Sequence, residues 1–232
     1  MARKGISNHM KRIAAPRYLP VARKNEVWIA RPIAGPHPAK DSVPLVTLVK
    51  EILELGADSA EARKIIREGG ILVDNRKVKR SKFPVGLMDV ISIPAMSKYY
   101  RVVVDEKSRM KLQEISEAQA KYKLCKIKSK VNLKGNKTQL GFHDGRSMVG
   151  GEEYTVGDTV KLEIPSQKVS GVYKLEEKAK CLVTKGKHAG VLATVSKIHE
   201  RTSRRAAEAT VKANGGDFIT VKKYLFAVGD EL

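Results

Sequence analysis

The sequence predicts an α+β chain in four parts: a basic, extended N-terminal arm at 1–41, a small α+β module at 42–105, a central β domain at 106–172 and a C-terminal β domain of short strands at 173–232. Three observations predict this. Six of the nine prolines (Pro16, Pro20, Pro32, Pro36, Pro38, Pro44) fall in the first 44 residues. Proline lacks an amide hydrogen and locks φ, so that stretch supports neither a long helix nor a central strand. Apolar residues then recur at helical spacing from Leu45 to Ile66, and from Tyr99 onward the pattern turns to short β-type runs.

At 232 residues the chain suits two or three small domains, with 42% hydrophobic residues but only 5% aromatic, so their cores must be aliphatic. Charge is the strongest signal. There are 45 Lys and Arg against 25 Asp and Glu, a net of +20. Such a field attracts a polyanion, because neutralising each phosphate releases condensed counterions. A membrane surface is not expected as partner: no run of 18 apolar residues occurs, and no signal peptide precedes the basic start. Cys125 and Cys181 fit neither a disulfide framework nor metal spacing, which points to a reducing cytoplasm.

Within the arm, Arg3, Lys4, Lys11, Arg12, Arg17, Arg23, Lys24 and Arg31 are spaced among prolines, Tyr18 and Trp28. Free in solution such a segment would be disordered; against RNA it could lie extended, guanidinium groups on phosphates and a ring stacked on bases or packed on the body. A solubilising tail is the plainer reading, which the one-sided charge and two rings oppose.

The module opens with a helix bearing Leu45, Leu48, Val49, Ile52 and Leu55, with Ser42 and Gly56 as candidate caps. A second helix starts at Asp58 with Glu61 completing a capping box, buries Ala62, Ile65 and Ile66, and stops at Gly69-Gly70. Its other face carries Arg63, Lys64 and Arg67. A hairpin follows, Ile71-Leu72-Val73, a turn at Asp74-Asn75, then Val78, and a strand Val90-Ile91-Ser92-Ile93. With Lys77, Lys79, Arg80 and Lys82, residues 63–82 hold eight basic residues and two acids. Any one of them is ordinarily just solvated, but convergence from two consecutive elements favours phosphate contact.

In the central part, Val102-Val103-Val104 is a short strand and 106–119 a candidate helix. Lys126, Lys128 and Lys130 alternate with Cys125, Ile127 and Val131, which places the ammonium groups on one sheet face. Gly135-Asn136 is a candidate hairpin turn. With Lys134, seven lysines and no acid fall within 121–137, suited to phosphate or, more plainly, to a charge-protected edge strand. Thr159–Ile164 alternates as a strand ended by Pro165. Further on, Cys181-Leu182-Val183 leads through Lys185, Gly186, Lys187, His188 and Gly190 into Val191–Val195, a glycine-bounded basic loop between strands. Residues 217–226 form the last strand.

Catalytic chemistry is not expected. No Walker or dinucleotide loop occurs, since Gly141 and Gly145 merely bracket Phe-His-Asp. His9, His37, His143, His188 and His199 never pair at ligand spacing, so no metal and no cofactor are expected. His143-Asp144 reads as a turn, and Glu152-Glu153 and Glu176-Glu177 are sequence neighbours that seldom face each other across a pocket.

Ala62-Arg63, Ile66, Gly69-Gly70, Ile71, Val73-Asp74, Val78 and Asp89–Ile93 resemble the RNA-binding module shared by bacterial small-subunit ribosomal protein four, some pseudouridine synthases and bacterial tyrosyl-tRNA synthetase. Two features depart from it: Leu45-Val46-Thr47 stands where the module usually has Arg-Leu-Asp, and Asn75 stands where the turn usually has glycine, a change that asparagine tolerates. Gly186–Gly190 looks like a KOW motif, with Gly190 in its glycine place, a resemblance that implies a KOW-type small β barrel at 173–232. Together with Lys11-Arg12, Ala14-Ala15-Pro16, Gly35-Pro36-His37 and Phe83–Val90, the arrangement resembles the archaeal and eukaryotic small-subunit ribosomal protein four of the "e" type over nearly the whole chain. A chain this short, lacking an extended C-terminal tail, looks archaeal rather than eukaryotic.

That resemblance implies a non-catalytic constituent of the small ribosomal subunit, with small-subunit rRNA and neighbouring ribosomal proteins as partners and neither a small-molecule substrate nor self-association. The alternatives are a dissociable KOW-containing translation or transcription factor, or an RNA-modifying enzyme such as a pseudouridine synthase.

Overall fold

The computed structural model describes residues 9–135, 137–199, 206–213, 215–229 and 231, which fall into two compact units. The first comprises 1–102 and 109–115, and the second 103–108 and 116–232. Arg3, Lys4, Asn136 and Asp230 lie outside the described residues.

In the first unit, β1 (Met10–Lys11) pairs antiparallel with β2 (Trp28–Ile29). The N-terminal segment is therefore folded where an extended arm was expected. Ala15 and Leu19 are buried in the unit's core, and Met10, Tyr18, Val21 and Ile29 pack on it. Those apolar groups sit in a proline-rich stretch with no helical or alternating period, so their burial could not be read as a pattern.

Ser42 belongs to β3 (Ser42–Pro44), which pairs with β6 (Pro84–Gly86) and so cannot cap the following helix. That helix starts behind Pro44, whose φ of −62° is preset, as α1 (Leu45–Thr47), and widens into a π-helical turn over Leu48–Ile52. Leu45, Leu48 and Val49 are buried as their spacing predicts.

The second helix, α2 (Ser59–Glu68), buries Ala62 and Ile66 and leaves Ile65 half-buried. Its capping box is incomplete: Asp58 makes no side-chain cap bond, while the Glu61 carboxylate accepts from the amide of Ala57 at 3.0 Å. Gly69, at φ +81°, closes the helix, and Gly70 donates back to the Ile65 carbonyl.

A five-stranded antiparallel sheet completes this part in the order β5-β4-β7-β8-β9, formed by β4 (Leu72–Val73), β5 (Arg76–Lys77), β7 (Val90–Ile93), β8 (Lys98–Val104) and β9 (Met110–Ile115). Asp74 and Asn75 both take positive φ, 50° and 58°, which gives the β4–β5 turn its primed form. The candidate helix at 106–119 is instead the strand β9 followed by α3 (Glu117–Ala120), capped by Ser116 and Gln119. Met110 is buried against the core with Leu112 packed on it, and that tertiary contact outweighs the helix-forming Lys111, Gln113 and Glu114 around them.

The second unit holds two five-stranded sheets. The first is ordered β12-β11-β10-β13-β14, from β10 (Tyr122–Leu133), β11 (Lys137–Phe142), β12 (Ser147–Val149), β13 (Thr159–Glu163) and β14 (Val169–Tyr173). The second is ordered β18-β17-β16-β15-β19, from β15 (Lys180–Val183), β16 (Leu192–His199), β17 (Glu208–Ala213), β18 (Gly216–Val221) and β19 (Leu225–Ala227). The stretch 217–226, expected as one strand, is broken by a 3-10 turn at Lys222–Tyr224, so its second half returns to pair with β15.

Glu231 ties the chain end to the first of these sheets. Its carboxylate accepts from Lys161 Nζ at 2.6 Å, from the Tyr173 hydroxyl at 2.8 Å and from the Tyr122 hydroxyl. Burial opposes its ionisation, but the hydrogen bonds from Lys161, Tyr122 and Tyr173 outweigh that and hold its pKa at about 2. Glu231→Gln should cost about 2 kcal/mol of stability at neutral pH, the scale of charged hydrogen bonds. Because the folded pKa is depressed, this contribution is complete above the ordinary value of 4.5 and disappears as pH falls towards about 2. Denaturant midpoints of the two proteins should therefore converge across that window.

Candidate nucleic-acid interface

In the first unit, α2 and the β4–β5 hairpin bring their cations onto one exposed surface. Arg63, Lys64 and Arg67 are exposed on the helix, and Lys77, Lys79, Arg80 and Lys82 are exposed on the hairpin and the segment after it. Arg76, which was not among the expected contact residues, is exposed on β5 beside Lys77. The two elements touch at Gly69, where an added Cβ would lie 3.6 Å from Lys77 Cδ, so the stem of Lys77 runs over the helix end. Backbone bonds from Val46 to the Ser81 carbonyl and from Ile33 to the Lys82 carbonyl fix the segment carrying Arg80 and Lys82.

Of the two acids in this stretch, Asp74 is buried and accepts from the Val90 amide at 3.0 Å. Within 63–82, Glu68 is thus the one exposed acid among eight exposed bases, and Glu61 at the start of α2 is occupied by the Ala57 amide. In an aqueous surface that imbalance favours a polyanion over an internal ion pair.

Other expected contact residues have structural partners. Arg12 is 2% exposed; its guanidinium pairs with Glu51 at 2.7 Å and Glu26 at 3.1 Å and donates to the Ala22 carbonyl at 2.9 Å. Lys50 pairs with Glu26 at 2.5 Å, and the hydrogen bonds and charges of Lys50 and Arg12 hold the Glu26 carboxyl below its ordinary range. Arg12 is therefore a structural clip, where a phosphate contact was expected. Arg23 likewise donates to the carbonyls of Ile13 and Pro16, at 2.9 and 3.2 Å. Lys11, Arg17 and Lys24 are exposed, and Arg31 is half-buried.

The lysine run of β10 is also divided. Lys123 is buried against Asp144 at 3.1 Å, and Lys130 Nζ donates to the carbonyls of Glu152 and Tyr154, at 2.6 and 3.2 Å. Lys126 Nζ donates to the carbonyls of Lys223 and Leu225. Burial brings its pKa down to about 8. A bulge between Ile127 and Ser129 shifts the register, so the expected alternation fails beyond it and Val131 is exposed. Lys128, Lys134 and Lys137 remain exposed at the hairpin end.

Lys126→Met should leave RNA affinity unchanged, because the amine is directed at two carbonyls of its own chain. In the parent chain the unfolded state holds this proton between pH 8 and 10.5 when the folded state has released it, so stability rises across that interval. The variant should lack the rise. Thermal melts at several pH values, paired with filter binding, check both outcomes.

In the second unit, the basic loop after β15 turns at Gly186 and Gly190, with Gly190 at φ +84°. A Cβ on Gly190 would lie 2.3 Å from the backbone carbon of Asp105, so glycine is required there for close chain approach. Lys185 and Lys187 are exposed, while His188 stacks on Phe218 with ring centroids 4.0 Å apart. The face of the His188 ring thus packs on its own chain.

Cys125, His143 and Asp144 gather ligand atoms within 4.8 Å of one another. The Asp144 carboxylate is already engaged by Lys123 and by Arg146 at 3.2 Å, and His143 Nδ1 accepts from the Lys126 amide. That chemistry is an internal ion pair and turn.

Three family models match along the chain: the RS4NT (NUC023) domain at residues 4–40, the S4 domain at 46–91 and the Ribosomal family S4e at 96–169. Among curated relatives, the small ribosomal subunit protein eS4 of Methanosphaera stadtmanae is 41% identical, with all of this chain and 96% of the relative aligned. The eS4 protein of Methanothermobacter thermautotrophicus is also 41% identical over the same shares. The crystal structure of the 30S ribosomal protein S4e from Thermoplasma acidophilum superposes with a TM-score of 0.72 at 34% identity, covering 82% of this chain and 95% of that one. Full-length similarity at this level, with an S4 domain carrying the cationic α2–hairpin surface, makes the chain a member of the S4e family of small-subunit ribosomal proteins.

Proposed function

We propose that the chain is a structural, non-catalytic constituent of the small ribosomal subunit in the cytoplasm, and that it holds rRNA chiefly through the joined α2 and β4–β5 surface. The observation that carries this is the convergence, within residues 63–82, of eight exposed bases with Glu68 as the one exposed acid of that stretch. Recognition is by shape and phosphates, since side chains do not read the deep A-form major groove. Lys11, Arg17, Lys24, Lys128, Lys134, Lys185 and Lys187, exposed on other elements, extend the contact beyond that surface.

In this reading the N-terminal segment to residue 41 lies among rRNA helices, 42–105 is the principal grip, and the β parts at 106–172 and 173–232 brace rRNA and neighbouring ribosomal proteins. A KOW-type barrel at 173–232 is supported by its five-stranded sheet and the close-approach glycine Gly190. The chain acts as a single copy and needs neither cofactor nor membrane; no described helix is long and apolar enough to cross a bilayer.

Sedimentation of subunits through high salt tests the role. The protein should remain with the small subunit after washing, and the purified chain should bind folded small-subunit rRNA. Loss on washing would instead support a dissociable factor.

A further inference from the structure

A cleft of about 340 Å³ in the first unit lies between the β1–β2 ladder, the first helix and the start of α2. On its wall stands Trp28, 55% exposed although it is the chain's single tryptophan. The His9 ring sits 5.7 Å from it with the planes inclined at 59°. An exposed indole beside a cleft offers a large, rigid face on which another ring can stack.

Three cations from separate elements reach the same cleft: Arg31 beyond β2, Arg63 on α2 and Lys82 after the hairpin. Glu26 is paired with Arg12 and Lys50, and Glu51 with Arg12, while Arg63 and Lys82 are exposed at the rim. The cleft thus offers an aromatic face within a cationic rim. Its volume lies at the small end of the usual range for ligand sites, about 300–1,000 Å³, which suits one nucleotide.

We propose that this cleft receives a single unpaired nucleotide of RNA, its base stacked on Trp28 and its flanking phosphates held by Arg63 and Lys82. The inference rests on the rRNA-binding reading above and adds to it a site for an extruded base. A bare anion would need the cations but not the indole. A duplex keeps its base faces stacked internally and could offer only phosphates, whereas every unpaired base presents a face that an aromatic ring can cover.

Because Trp28 is the sole tryptophan, indole emission reports from this cleft alone. The full chain would be titrated with a single-stranded RNA octamer of mixed sequence, an RNA duplex of the same length and inorganic polyphosphate at matched phosphate concentration. The single strand should quench the emission, and the duplex and polyphosphate should bind with little quenching. Trp28→Ala should weaken single-strand binding roughly tenfold, the scale of one lost base–aromatic stack, with duplex affinity unchanged. Trp28→Phe should restore most of the loss, which separates stacking from any effect on folding. Equal quenching by all three ligands, or a Trp28→Ala chain that binds the octamer as the parent does, would overturn the proposal. Tight rRNA binding with unquenched emission refutes the nucleotide cleft alone, whereas no binding to rRNA at all refutes the ribosomal reading beneath it.

Discussion

Replacing Arg63, Arg67, Lys79 and Arg80 together by alanine should weaken binding to folded small-subunit rRNA by a factor on the order of 100 to 1,000 near 0.1 M salt. Each phosphate contact contributes about 0.7–0.9 to the slope of log affinity against log salt, so four lost contacts should flatten that slope by about 3. Single substitutions among the four should have correspondingly modest effects. All four side chains are exposed, so the melting temperature should barely move, as is usual for surface changes. Filter binding over a salt series, with a thermal melt of each variant, measures both quantities. An affinity loss with an unchanged slope would place these residues off the phosphates.

Arg12→Met should act in the opposite way, destabilising the first unit by about 3 kcal/mol with little effect on RNA affinity under conditions where the variant is folded. Removing one partner from a buried ion pair strands the other charges, which typically costs about 3–5 kcal/mol; the lower end applies because Glu26 is half-exposed, at 47%, and still retains Lys50. For a unit of this size that loss should lower the melting temperature by roughly 10 °C or more. Lys11→Met, on the exposed neighbour, should stay within about 0.5 kcal/mol of the parent and give the control. Urea midpoints for the three proteins decide the matter. If Arg12→Met melted with the parent but lost rRNA affinity, Arg12 would be a phosphate ligand after all.

The contrast between these two sets of arginines shows which parts of the fold and site were legible in the sequence. Helix α2 was legible because its period, its glycine stop and its basic face are all local. So was the turn at Asp74-Asn75, where asparagine signals a left-handed backbone. The cations of this region share one surface because they lie on consecutive local elements. Arg76, exposed beside Lys77 on β5, belongs to the same basic run.

Arg12 and Lys126 were not legible, for a different reason. Their partners lie far along the chain: Glu51 is 39 residues from Arg12, and Lys223 and Leu225 are 97 and 99 residues from Lys126. Composition marks such residues as positive, but only tertiary structure shows that the charge is already used. The same applies to Ser42, a plausible cap by type that β-pairing with Gly86 removes from the helix end. It applies equally to 110–115, where packing of Met110 turns a helix-prone run into a strand.

The most direct measurement of the central claim is tethered RNA cleavage within the assembled subunit. Both native thiols are buried, and burial pushes Cys181 up to about 11, so a cysteine introduced at exposed Glu68 can carry the cleaving probe alone. A second probe at exposed Asn75 samples the hairpin. The α2–hairpin surface predicts overlapping clusters of cut nucleotides from the two positions, confined to one neighbourhood of the small-subunit rRNA. Cuts in separate regions, or none from either position, would contradict it.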